Sequence, residues 1–444
     1  MIRTTIWALL LFLPCSTGLQ AAEHSDPLPA ITLLLSGRPG PFIHYPPDTS
    51  FTSIPTDLSM PLPAYLEPVT GTVFHNRITR LTHYPDAQAN FPYPKTPSWN
   101  SDGSLLMLSN RLLDGHTYQT IAAQAWWDDD EKKWSAIYPR IYYGMEHNRD
   151  LDGDGKKDHC FVRRDVTPVL DGTAGEPARE RLIIFSGAEF AEMLLGKYEG
   201  NIDHQDRFVV FAGRRMNNNY LTAIVYDIRA RRIASLKEMT DIRWEDNSGG
   251  QVLDWISVSP SGRYILINWN KFPEATDEDA SYRIDQYDIQ LNHIRELAHQ
   301  GQHGDIGVTA NGHDMYVQLE FGGERRGIWG YDLESGAETR LLPDKYNGGH
   351  ISCRNYRRPG WCYPSTTAEG HREVFALKLD GSGTVNRFAQ THQSDGNSRG
   401  GVNADGTRII FESDWHGTTP VDASNQHVRE AFVVNPHFSQ RSLR

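Results

Sequence analysis

The chain predicts an all-β fold, a seven-bladed β-propeller with four antiparallel strands per blade, and three observations carry that expectation. A polar turn followed by an apolar strand recurs as "WNSDGSLLML", "VSPSGRYILI", "VTANGHDMYV" and "VNADGTRIIF", with weaker copies in "IDHQDRFVVF" and "RRPGWCYP". One anchor per turn (Gly103, Gly155, Asp206, Gly262, Gly312, Gly360 and Gly406) gives successive spacings of 52, 51, 56, 50, 48 and 46 residues. A near-constant period in this range, without helical periodicity, marks propeller blades. Each unit also carries a second hairpin, as in "TAIVYDIRARRIASLK" and "GIWGYDLESGAETRLL", which brings the count to four strands. The ends complement one another. "GTVFHNRITRLT" near Gly71 reads as a fourth strand lacking a blade, and "EAFVVNPH" as a third strand lacking a fourth. Their pairing closes the ring and leaves no sheet edge open.

Taken in chain order, residues 1–22 ("MIRTTIWALLLFLPCSTGLQAA") read as a signal peptide, with Arg3, an apolar run from Ile6 to Pro14, and small residues at Ala21 and Ala22. The run is far short of the roughly 20 residues a membrane span needs. A secreted or periplasmic protein without a membrane span is therefore expected. Residues 23–65 are an extended lead-in, 66–437 the propeller and 438–444 a tail. A net charge of −12 gives no general pull toward nucleic acid or anionic membrane, so neither is an expected partner. Cys353 and Cys362 flank "RNYRRPGW". A hairpin centred near Arg357–Arg358 sets them opposite, at about 4.5–5.5 Å between Cα atoms, within disulfide range. Thiolate ligation of a metal is the alternative. Cys160 reads as a buried small hydrophobe.

The stretch "HNRDLDGDGKKDHC" (147–160) sets Asp150, Asp152, Asp154 and Asp158 around Gly155. Hard cations take several oxygens on a glycine-permitted turn, which suits a structural Ca²⁺. Gly155 also occupies the position expected for the first corner of blade 2, so the plainer reading is an elaborated hairpin turn. All seven corners share one face. A ligand site built by several blades is expected on the other face, around the axis, where the first strands begin near Tyr93, Tyr142, Tyr198, Gln251, His303, His350 and Ser398.

In blade 3 a hairpin turning at Gln205–Asp206 makes Tyr198 and Arg214 near-partners, and a cation beside a phenol favours its ionised form. A surface tyrosine stacked on an arginine is the competing reading. His116 is expected to leave the second strand of blade 1 on this same face, as a proton-transfer group or as a polar loop residue. His303, His350, Cys353 and His392 could together ligate Zn²⁺ or another divalent metal; singly, each histidine reads as a hydrogen-bonded core residue. Arg354, Arg357, Arg358 and Arg399 form a basic sector suited to a carboxylate or sulfate, or are ordinary solvated charges. "GNSRG" around Ser398 matches G-x-S-x-G, but a strand rather than a helix follows it, so it is no nucleophile elbow.

"ITRLT", "PSWNSDGSLLML", "HGDIGV", "ISCRNYRRPGW", "EVFALKLDGSG" and "NADGTRIIFESDW" resemble exported seven-bladed propellers of the TolB-like class. Within it they resemble the lyases acting on uronates, the oligogalacturonate and ulvan lyases. The resemblance covers nearly the whole mature chain and its motifs report fold more than activity. It implies β-elimination: a base takes the C5 proton of a uronate, a cation or metal neutralises its carboxylate, and an acid protonates the leaving oxygen. On the ulvan pattern, Tyr198 and Arg214 match the Tyr/Arg combination and His116 the catalytic histidine. The paired blade-1 histidines of ulvan lyases have no counterpart; Tyr93 and Lys95 stand where one would sit and, with Arg354 and Arg399, are the expected substrate contacts. The clustered metal histidines of oligogalacturonate lyases also lack a clear match. The expected function is thus an exported polysaccharide lyase cleaving a uronic-acid-containing anionic glycan, ulvan- or pectate-like. The alternative is a non-catalytic TolB-like propeller that binds a glycan or a partner protein. A hydrolase would want paired carboxylates beside the cleft, and no such pair stands out in the sequence.

Overall fold

The fold is that of a computed structural model, which describes residues 54–85, 93–108, 110–123, 131–245, 252–270, 283–299, 303–320, 323–343, 349–367, 372–394 and 398–435. The leader expected at 1–22 and the tail at 438–444 lie outside the described residues, as does most of the lead-in. Seven antiparallel sheets follow one another along the chain and form a ring. Blade 1 holds Leu105–Leu108, Arg111–Asp114 and Thr120–Ala123, its innermost strand reduced to a bridge between Trp99 and Leu106. Blade 2 holds Lys133–Trp134, Ile141–Arg149, Asp158–Asp165 and Ala178–Phe185, and blade 3 holds Phe190–Leu195, Phe208–Arg215, Tyr220–Asp227 and Arg232–Arg243. Blades 4, 5 and 6 begin at Leu253–Val258, Gly304–Val308 and Gly349–Ser352 and have four strands each.

Blade 7 joins the chain ends as expected. Gly400–Val402, Ile409–Ser413 and Glu430–Asn435 are completed by Arg77–Arg80, with Arg77 opposite Asn435 and Arg80 opposite Phe432. The short strand Val69–Thr70 lies outside that seam. A buried ion pair pins the seam, Arg80 Nη2 lying 2.6 Å from Glu430 Oε1. The final residues of the lead-in pack against the ring, where Trp415 Nε1 donates to the Met60 carbonyl at 3.0 Å.

Each sheet is sandwiched between two neighbours, so its central strands bury both faces and read as apolar runs rather than alternating patterns. Ile265, Leu266 and Ile267 in blade 4 are all fully buried. The corners between first and second strands link each blade to the next. Arg408 of blade 7 donates to the Gly103 carbonyl (2.9 Å), and Asn100 of blade 1 to the Pro139 carbonyl (2.6 Å). Ser135 of blade 2 bonds Asp206 of blade 3, and His204 N donates to the Pro260 carbonyl of blade 4 at 2.9 Å. Ser261 of blade 4 bonds Asp314 of blade 5. Gly360 N donates to the Val308 carbonyl (2.6 Å), and Tyr363 of blade 6 to the Gly406 carbonyl of blade 7 (2.8 Å). The circuit closes.

One anchor is corrected. The first corner of blade 2 is Ser135–Arg140, between Lys133–Trp134 and Ile141–Arg149, and Gly155 turns between the second and third strands. That corner lacks the glycine found at the corners of blades 1, 4, 5, 6 and 7, while the second and third strands of the blade are joined by a glycine-rich turn that mimics one. The acidic loop therefore lies on the face opposite the corners, here called the inlet face. Tyr142, expected at a strand start, is instead buried in the second strand. Cys353 and Cys362 form a disulfide, and Cys160 is a buried free thiol.

Candidate active site on the inlet face

The segments that lead into the inner strands converge at the axis. Lys95, just before blade 1, is only 4% exposed. Its Nζ lies 2.8 Å from Glu199 Oε2 of blade 3 and 3.8 Å from the ring centroid of Trp255 in blade 4. A cation so placed gains from both carboxylate and indole face. Tyr93 meets His350 edge-on at 5.3 Å, and His350 stacks on His303 with centroids 4.1 Å apart and planes at 14°. Each imidazole is oriented by the following blade: His303 Nδ1 contacts the Gly349 carbonyl at 2.6 Å and His350 Nδ1 the Ser398 carbonyl at 3.0 Å. A carbonyl only accepts, so both rings carry their proton on Nδ1 and present Nε2 as a lone pair. Burial, then the neighbouring imidazole, pushes His350 down to about 3, and burial lowers His303 as well. Both are neutral at pH 7.

Asp254, at the start of blade 4, accepts a hydrogen bond from Asn268 Nδ2 at 2.8 Å. Burial first, and then the Glu199 carboxylate, raises its affinity for a proton above that of an ordinary aspartate, against the pull of Lys95, Lys197 and His303. The shared influences tie Lys95, Lys197, Glu199, Asp254 and His303 to one electrostatic neighbourhood.

The link between Asp254 and Glu199 is an unusual turn. Gly196, Lys197 and Tyr198 take φ values of 57°, 48° and 70° in succession. Left-handed backbone costs a residue with a Cβ roughly 1–2 kcal/mol, and such strain concentrates at functional sites. Two contacts hold it. Lys133 Nζ donates to the Tyr198 carbonyl at 2.7 Å, and Gly200 lies so close to the Ile256 carbonyl that any Cβ would collide. Lys133 is 1% exposed, and burial lowers its ammonium to about 7. Lys197 is 5% exposed, and burial lowers its basicity too.

This turn separates two of the expected partners. Near the corner, Asp203 N bonds the Phe208 carbonyl, yet further out Leu195 is already opposite Phe211. The surplus residues loop out as Gly196–Gly200, so Tyr198 projects at the mouth, 48% exposed, whereas Arg214 sits opposite Glu192 and bonds it at 2.7 Å. The two are not cross-strand partners, because the inner strand begins at Phe190. His116 lies in the turn after Arg111–Asp114, where Gly115 N donates to the Ser104 carbonyl, so it belongs to the corner face and not to the mouth. Arg354 is buried and engaged with Asp305, through Nη2 at 2.8 Å and Nε at 3.1 Å. Arg358 sits near the corner of blade 7, its Nη1 2.8 Å from Tyr363 Oη. Of the basic sector, Arg399 belongs to the inlet face, beside Glu412 at 3.8 Å.

The expected zinc set does not assemble. Cys353 is committed to its disulfide, and His392 pairs with His416 at 2.9 Å while stacked on Trp415. Of the acidic loop, Asp150, Asp152 and Asp158 bring carboxylate oxygens within 4.8 Å of one another, and Asp154 is not among them. Asp150 also accepts from Gly153 N at 2.6 Å and Gly155 N at 2.9 Å, so the turn reading and the cation reading share the same atoms.

Reading the sequence as a straight hairpin missed Lys197, Glu199, Asp254, Trp255 and Lys133. The available signal was "LLGKYEGN", where two glycines bracket a lysine and a glutamate just before a corner.

No family model and no curated protein matches the chain. Among solved structures it is similar to an oligogalacturonate lyase in complex with manganese, at 13% identity and a TM-score of 0.55, covering 85% of this chain and 97% of that one. It is also similar to the oligogalacturonate lyase of Vibrio parahaemolyticus, at 11% identity and a TM-score of 0.52, covering 83% and 96%. At such identities the likeness is one of fold. The manganese of the first neighbour has no ready counterpart at the mouth. His303 and His350 offer two nitrogens, but among the described residues no third His, Cys, Asp or Glu donor joins them within ligating reach. Among the described residues, this donor set does not make up a metal centre.

Proposed function

We propose that the chain is an exported polysaccharide lyase that cleaves a uronic-acid-containing anionic glycan, ulvan- or pectate-like, by β-elimination. The observation that supports this is the convergence of Lys95, Lys197, Glu199, Asp254, His303 and His350 from five blades. Elimination next to a carboxylate needs a cation to offset charge building on that carboxylate, a proton acceptor at C5 and a proton donor at the leaving oxygen. Arg399 and Lys95 supply positive charge. Asp254, whose carboxyl holds its proton more tightly than usual, is suited to donate. Tyr198 stands at the rim as a substrate contact. The disulfide fits an oxidising compartment outside the cytoplasm. Asp150, Asp152 and Asp158 are proposed to hold a structural Ca²⁺, since hard carboxylate oxygens prefer it to zinc.

Incubation with ulvan, polygalacturonate and glycosaminoglycans, with and without added Ca²⁺ or Mn²⁺, is expected to release products with the far-ultraviolet absorbance of a C4=C5 double bond. A second reading is favoured by the Glu199–Asp254 carboxylate pair, in which burial and the neighbouring carboxylate make Asp254 hold its proton more tightly than usual, the asymmetry glycoside hydrolases use. The same assay separates them: new reducing ends without that absorbance mean hydrolysis. Neither signal on any polymer leaves a non-catalytic binder.

A further inference from the structure

Elimination requires a group that accepts a proton from carbon, and the mouth offers several nitrogens. His303 and His350 are weak acceptors, stacked on one another and held neutral by burial, His350 at about 3. Lys95 is committed to Glu199 and Trp255. Lys133 donates to Thr96 Oγ1 at 3.0 Å and to the Tyr198 carbonyl at 2.7 Å. Lys197 differs from all of them. It is almost buried, has no hydrogen-bond or ion-pair partner among the described residues, and stands at the centre of the left-handed turn.

We propose that Lys197 is the catalytic base, its Nζ taking the C5 proton of a uronate bound at the mouth. The role rests on the lyase reading. The C5–H electron pair becomes the C4=C5 double bond, and the C4–O4 bond breaks with its pair on the departing oxygen. That oxygen takes the proton of Asp254. The Lys197 ammonium then passes its proton to the Asp254 carboxylate, directly or through water, which resets both groups. No redox partner enters.

Two features of the fold serve this role, and three carboxylates oppose it. Burial disfavours the ammonium, which makes this amine easier to deprotonate than a solvated lysine. Asp254 from blade 4, Glu199 from the same turn and Glu192 from the preceding strand pull the other way, and burial outweighs them. Lys133, from blade 2, faces the turn through its backbone and fixes the carbonyl next to Lys197. The strained backbone thus presents an amine with no hydrogen-bond or ion-pair partner among the described residues, in the same charged cluster as a carboxyl that holds its proton more tightly than usual.

The test uses K197M, K197R and K197C in the full-length protein, the last before and after aminoethylation with bromoethylamine, which rebuilds a lysine-like amine on sulfur. Unsaturated product gives the rate, calorimetry with uronate oligomers gives binding, and circular dichroism checks the fold. K197M and K197R are expected to lose about 10²–10⁴-fold in kcat while binding oligomers nearly as well as the parent. Aminoethylated K197C is expected to regain activity, with the acidic limb of its pH profile moved to lower pH because sulfur weakens the amine. A K197M that cleaves within about tenfold of the parent overturns the role and leaves the lyase reading standing. A parent protein that releases no unsaturated product from any polymer overturns both. If K197M fails to fold, folded K197C decides, since activity equal before and after aminoethylation rejects the role.

Discussion

Lys133 is an ammonium placed where water cannot reach it, and its titration leaves a mark on stability. Burial is the main cause of its fall to about 7 from 10.5, against the opposing pull of Glu131 and Glu199. The unfolded chain binds this proton more readily between those two values, so stability declines as the pH falls from about 10.5 to about 7 and levels off below. Thermal unfolding across that window is expected to show the slope, and Lys133→Met to flatten it; an unchanged slope rejects the assignment. At this scale the sequence named Tyr93, His303 and His350 as inlet residues, because each stands about ten residues before a recognisable corner, and the family resemblance added Lys95. It could not name Lys197, Glu199 or Asp254 as partners. Their meeting depends on a looped-out turn whose left-handed backbone leaves no periodic trace.

Corners were legible wherever a tight turn demanded a left-handed residue, as at Gly103, Gly262, Gly312 and Gly406, all with φ between 71° and 83°. Blade 2 misled because its true corner, "SAIYPR", turns without glycine. Its stability comes from Ser135 and the Ala136 amide, both bonded to Asp206. The acidic loop that took its place in the reading has its own test. Adding Ca²⁺ to chelator-treated protein is expected to raise the thermal midpoint by a few degrees, as ligand binding to the folded state alone does. Asp152→Asn should remove most of that gain. A midpoint indifferent to Ca²⁺ leaves these aspartates as turn formers.

The ring as a whole was the most readable level, because seven copies of one pattern average out the error in any single copy. The shift at Gly155 displaced a hairpin and did not alter the number of blades. Closure depends on strands whose charged pair, Arg80 and Glu430, lies 350 residues apart. A chain starting at residue 82 lacks Arg77–Arg80 and leaves Glu430–Asn435 with an unpaired edge. It is expected to elute as aggregates in size-exclusion chromatography and to lose cooperative unfolding, where the longer chain gives one discrete peak. The seam also acts as a checkpoint on completeness. A polypeptide cut short before Glu430 can raise most of its sheets but cannot lock them, so an unfinished copy is left open to proteolysis while a finished one is sealed.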